Sequence, residues 1–75
     1  MRYEKDLSTR RIAENVAFKI RTAKSFTDAK RAEECVRKIV RWLWDAKDYG
    51  AINEFYFEEL YGMCIDALVE IDKRL

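Results

Sequence analysis

From Thr9 onward the apolar positions of this chain recur at intervals of three and four, the spacing that lines one face of an α-helix. Three such stretches follow one another. In the first, Ile12, Val16, Ile20 and Ala23 form a stripe with Ala13 and Ala17 at its edge, while Phe18 lies nearly opposite. Ser8 suits the N-cap and Leu7 is placed to staple onto Ile12, which predicts a helix over about 9–24.

The second stretch has Ala32, Val36, Ile39, Leu43 and Ala46 as its stripe, flanked on one side by Cys35 and Trp42 and on the other by Ala29 and Val40. Thr27, or Ser25 with Asp28 completing a capping box, opens a helix over about 28–49. Gly50 then stands just past its end, where a left-handed backbone is cheapest for glycine. The third helix is predicted over about 53–74, opening at Asn53 with Glu54 in the first turn and Ile52 stapled to Phe57. Tyr56, Phe57, Leu60, Met63, Cys64, Ala67, Leu68 and Ile71 make its broad stripe. A narrower one follows Gly62, Ile65 and Val69, and Lys73 and Arg74 favour the negative end of the helix.

Helices joined by such short turns pack antiparallel to their neighbours, so the expected fold is all-α, an antiparallel three-helix bundle. It is a single domain over residues 1–75, with 1–6 as a loosely ordered tail. Strands are excluded because no alternating run is bounded by turn signals and Ala, Glu, Lys and Arg dominate.

Within "RWLWDAKDYG", Trp42 and Trp44 are separated by roughly 200° around the helix, so one core cannot easily hold both. Trp42 is expected to face the core. Trp44 falls outside the stripe, at the border of a basic face made by Lys30, Arg37 and Arg41.

At 75 residues a single core barely offsets the entropy of ordering the chain, so disulfides, a metal, very good helix packing or association must add to it. Two cysteines and no histidine supply neither a disulfide framework nor a zinc quartet. Cys35 and Cys64 sit at offset heights on core-facing edges of their helices, which predicts two free, buried and inert thiols. Packing and association remain. Hydrophobic residues at 49% and aromatics at 13% leave apolar surface beyond what the core needs.

The same inventory argues against catalysis. Without histidine there is no triad, no zinc-protease helix and no imidazole base, and two glycines cannot build a phosphate cradle. Adjacent carboxylates such as Glu33/Glu34 and Glu58/Glu59 point about 100° apart and share no site. A non-enzymatic protein without cofactor or metal is expected. No run is apolar enough to span a membrane and the charged N-terminus lacks the pattern of a secretory signal, so a cytoplasmic location is expected.

Net charge is +1, but residues 1–47 hold 13 Lys+Arg against 7 Asp+Glu, whereas residues 48–75 hold 2 against 7. The first part is basic and the second acidic. Phe18, Trp44, Phe55, Ile65 and Val69 all lie off their main stripes and are the expected partner-binding residues, with Arg37 and Arg41 at the rim and Gly62 permitting close approach of another helix. The expected function is a regulatory or interaction protein that self-associates, most simply as a homodimer, or docks on a protein partner. The alternative is a nucleic-acid-binding regulator using Arg10, Arg11, Arg21, Lys30, Arg37 and Arg41 on the basic faces of the first two helices.

Overall fold

A computed structural model describes the backbone of residues 5–75 and the side chains from residue 9 onward. Three helices, α1 (Lys5–Lys24), α2 (Ala29–Asp48) and α3 (Glu54–Asp72), form an antiparallel bundle in which every pair of helices is in contact. The α2/α3 seam is the most extensive and the α1/α2 seam the least. The particle measures 41 × 18 × 17 Å.

α1 starts earlier than its sequence suggests. Ser8 lies inside the helix rather than at its cap, because Lys5, Asp6 and Leu7 are all helix-compatible and nothing there stops propagation. The expected staple from Leu7 and the tail at residues 1–4 lie outside the described residues, while Lys5 and Asp6 are helical. At the other end, the Thr22 carbonyl accepts from the Ser25 hydroxyl at 2.8 Å and the Ser25 N–H at 3.1 Å, and the Ala23 carbonyl accepts from the Phe26 N–H at 3.1 Å. The Arg74 guanidinium donates to the Lys24 carbonyl at 2.8 Å. Groups that a helix end leaves unpaired are thereby satisfied, in part from the far end of the chain.

Asp28, not Thr27 or Ser25, is the N-cap of α2, its carboxylate accepting from the Lys30 N–H at 3.0 Å and the Arg31 N–H at 3.3 Å. Ser25 is already committed to Thr22, and Asp caps as well as Ser does. α2 ends in a Schellman turn. The Gly50 N–H donates to the Lys47 carbonyl at 3.0 Å and the Ala51 N–H to the Ala46 carbonyl at 2.8 Å, with Gly50 at φ +75°. Asn53 caps α3 as its position in the sequence requires, its side chain accepting from the Tyr56 N–H at 2.9 Å, and the stapling residues Ile52 and Phe57 are both buried.

The core is drawn largely from the predicted stripes, with Ala51 and Ile52 of the α2–α3 turn added, while the stripe residues Ile12, Tyr56, Met63 and Leu68 are only partly buried. Val16, Ile20 and Ala23 come from α1, Ala32, Val36, Ile39, Leu43 and Ala46 from α2, and Phe57, Leu60, Cys64, Ala67 and Ile71 from α3. Thr9, 3% exposed, is the one buried polar residue among those described, and its hydroxyl donates to the Ala51 carbonyl at 3.4 Å. This long bond ties the start of α1 to the α2–α3 turn, as Arg74 ties the end of α3 to the end of α1.

Candidate functional site

Two side chains decide what the surface offers. Leu43 is fully buried, so α2 points it straight at the core, and residues one position before and after it project about 100° to either side. Trp42 and Trp44 therefore stand on the two flanks of α2, one over each seam. Trp42 does not face the core as expected: it is 40% exposed and lines the α1/α2 seam. Its position about 100° from the fully buried Leu43 puts it on a flank, over a seam that α1 lines with Ile12, Asn15, Val16, Phe18, Lys19 and Thr22 without closing it.

Trp44, 45% exposed, has an internal partner after all. Its ring meets Phe57 edge-on with centroids 4.8 Å apart and Tyr61 at 6.0 Å, and Phe57 and Tyr61 stack at 5.5 Å. Lys47 Nζ sits 5.3 Å from the Trp44 ring centroid and 4.6 Å from that of Phe57, close enough for cation–π attraction. Trp44 thus roofs the α2/α3 seam.

The α1/α2 seam remains open as a groove of about 610 Å³. Phe18, Phe26 and Trp42 supply aromatic walls, Ile12, Val16, Ile39 and Cys35 the floor, and Lys19 and Lys38 are the charged residues that line it. No carboxylate among the described residues does, although Asp28 and Glu34 line the hollow that adjoins it at Phe26, Cys35 and Lys38. A shallower recess on the α2/α3 side is lined by Arg37, Val40, Arg41, Trp44, Asp45, Tyr61, Ile65 and Leu68.

The five residues expected to bind a partner are all exposed, but they do not form one patch. Phe18, 62% exposed, belongs to the α1/α2 groove. Trp44 and Ile65 share the α2/α3 recess, and Phe55 and Val69, on α3, line neither hollow. On α3, Phe55, Gly62 and Val69 are seven residues apart and so fall nearly on one line, opposite the buried stripe, with Ile65 beside it. A Cβ built on Gly62 would meet nothing within 4 Å, so no packing inside the molecule requires glycine there.

The basic residues divide as well. All six residues of the nucleic-acid alternative are exposed. Arg37 and Arg41 border the Trp44 recess, where Asp45 also stands and where Arg37 pairs with Glu33 at 3.7 Å. By helical position Arg10 and Arg21 lie on the side of α1 turned away from the α1/α2 groove, so they do not extend a stripe from Arg37 and Arg41. Both ion pairs among the described residues, Glu33–Arg37 and Glu70–Lys73, join near neighbours in sequence, and none crosses a seam. Among the described residues no α3 carboxylate pairs with α1 or α2.

Both cysteines are free. Cys64 is fully buried, and burial pushes its thiol up to about 11. Cys35 departs from expectation: it is half-buried and lines the groove. Among the described residues no cluster of three or more His, Cys, Asp or Glu is placed to hold a metal ion, and no helix is long and apolar enough to cross a membrane.

Sequence reasoning missed Trp42, Phe26 and Lys38 as surface-forming residues. The signal available was the symmetry of the two tryptophans about Leu43, which places both on flanks. The chain is a small three-helix bundle with an open apolar groove between α1 and α2 and exposed apolar side chains along the outer side of α3. Comparison with known protein families, curated proteins and solved structures gives no match to the chain.

Proposed function

We propose that this chain is a non-enzymatic interaction protein that acts through self-association. The observation that carries the reading is the exposure of Phe18, Trp42, Phe55, Ile65 and Val69, between 40% and 70% each, on a chain of 75 residues. Interfaces are enriched in aromatics with a charged rim, and the groove that Phe18 and Trp42 line beside Lys19 and Lys38 joins the two. Association also suits a short chain, because whatever binds only the folded state adds to its stability.

Light scattering from micromolar to millimolar concentration tests it. Mass rising with concentration, together with a rising midpoint of thermal unfolding, is expected. A monomer throughout would overturn the reading. The nucleic-acid alternative, resting on Arg37 and Arg41 beside Trp44, requires affinity for oligonucleotides that falls steeply with salt and loses slope in Arg37→Ala or Arg41→Ala; no binding at about 50 mM salt ends it.

A further inference from the structure

We propose that the contact is made between unlike surfaces: the outer face of α3 in one copy lies in the α1/α2 groove of the next. This rests on the self-association just argued and adds which surfaces meet.

Three observations support it. The first is charge. The groove's charged lining residues are Lys19 and Lys38, whereas the outer face of α3 sets Phe55, Ile65 and Val69 among the exposed carboxylates Glu58, Glu59 and Asp66. Opposite signs meet only when groove is set against α3 face. Two grooves facing each other would oppose lysines. Two α3 faces crossing antiparallel at Gly62 would set Glu58 of one copy against Asp66 of the other, and like charges across an interface are unfavourable.

The second observation is that the internal route to neutralising α3 is unused, since no ion pair among the described residues joins α3 to α1 or α2. The third is Gly62. A glycine in the middle of an exposed helix costs about 1 kcal/mol relative to alanine. Nothing inside the molecule stands within 4 Å of where its Cβ would be. Its position between Phe55 and Val69 lowers the ridge of α3 at mid-stripe, which lets the helix sink between two others.

In this arrangement the α1/α2 hairpin is sandwiched between its own α3 and the α3 of a neighbour. The groove is lined by α1, α2 and the turn between them, so it lies on the side of the bundle remote from α3. A contact between opposite sides of one molecule is heterologous. It does not close as a two-fold dimer but repeats, giving a ring or a chain of copies.

Paired blocking variants test this. Phe18→Glu and, separately, Lys38→Glu block the groove; Val69→Lys and Phe55→Lys block the α3 face. All four positions are exposed, and helicity with cooperative unfolding confirms that each variant folds. Each variant alone is expected to lose at least about tenfold in association, as interface anchors do. Mixing a groove variant with a face variant restores one good contact and is expected to give a 1:1 heterodimer that grows no further. Wild-type assembly should weaken with salt. If the groove variants assemble like wild type while the face variants do not, α3 pairs with α3 and this inference falls while self-association stands. A mixture that stays as two monomers overturns it equally. A wild-type protein that is monomeric at millimolar concentration removes both readings.

Discussion

Replacing Trp44 by alanine separates an internal role from an external one. The indole is 45% exposed, so somewhat more than half of its surface is covered, chiefly by Phe57 and Tyr61. A tryptophan carries about 150–250 Å², which leaves about 80–140 Å² in contact and, at about 25 cal/mol per Å², about 2–3 kcal/mol. The edge-on ring pairs add about 0.5–1.5 kcal/mol, and residual compactness of the unfolded chain subtracts some of the total, so about 3 kcal/mol is expected. Phe57, now 5% exposed, loses its cover and Lys47 loses a cation–π partner. Urea denaturation at low micromolar concentration, followed by circular dichroism, is the assay. The midpoint should fall with the slope unchanged, and the melting temperature should drop by roughly 15 °C, since each 1 kcal/mol shifts a domain of this size by about 4–8 °C. A loss below about 0.5 kcal/mol, the size of a neutral surface change, would show that the indole contributes nothing inside the molecule and would refute the reasoning.

Alanine should act in opposite directions at the two glycines. Gly62→Ala is expected to raise monomer stability by about 1 kcal/mol and weaken association, whereas Gly50→Ala, forced to adopt φ +75°, should lower stability by about 1–2 kcal/mol in the same denaturation experiment. Asp28→Ala should lose about 1 kcal/mol and Thr27→Ala almost nothing, because only Asp28 reaches the α2 amides. A thiol reagent at neutral pH should modify Cys35 and reach Cys64 only on unfolding, and assembly should slow the reaction at Cys35, which lines the groove. The folded Cys64 thiol lies near 11 against 9.0 when exposed, so the stability held by keeping it neutral is intact below pH 9 and declines by about 1.4 kcal/mol per unit as the pH rises from 9 to 11. Cys64→Ala should lack that decline; equal pH dependence of the two proteins would assign it to other groups.

The bundle is legible in the chain because its core is a problem of period. Ala32, Val36, Ile39, Leu43 and Ala46 announce a single helical face, and every one of them is buried. The ends of helices are legible where a single candidate stands at the boundary, as at Gly50 and Asn53. They are ambiguous where several residues qualify. Ser25, Thr27 and Asp28 are all competent caps, and the choice falls to Asp28 partly because the Ser25 hydroxyl is already bound to the Thr22 carbonyl. Ser8 looks like a cap only if the helix begins there, and nothing in Lys5, Asp6 or Leu7 prevents an earlier start.

The surface is harder to read than the core because coverage is a relation between two helices, and a wheel shows only one. Trp42 and Trp44 have the same angular distance from Leu43 and nearly the same exposure, yet one stands in an open groove and the other roofs an aromatic cluster. What separates them is the opposite wall. α3 packs Phe57 and Tyr61 directly against the Trp44 ring, while the α1 side chains beside Trp42, Phe18 among them, leave an open groove. The same asymmetry fits the thinner contact between α1 and α2 and leaves the two lysines beside an uncovered aromatic wall. A short bundle that filled this seam would gain core and lose its groove. The open seam beside Trp42 therefore forgoes internal packing and leaves an apolar groove on the surface.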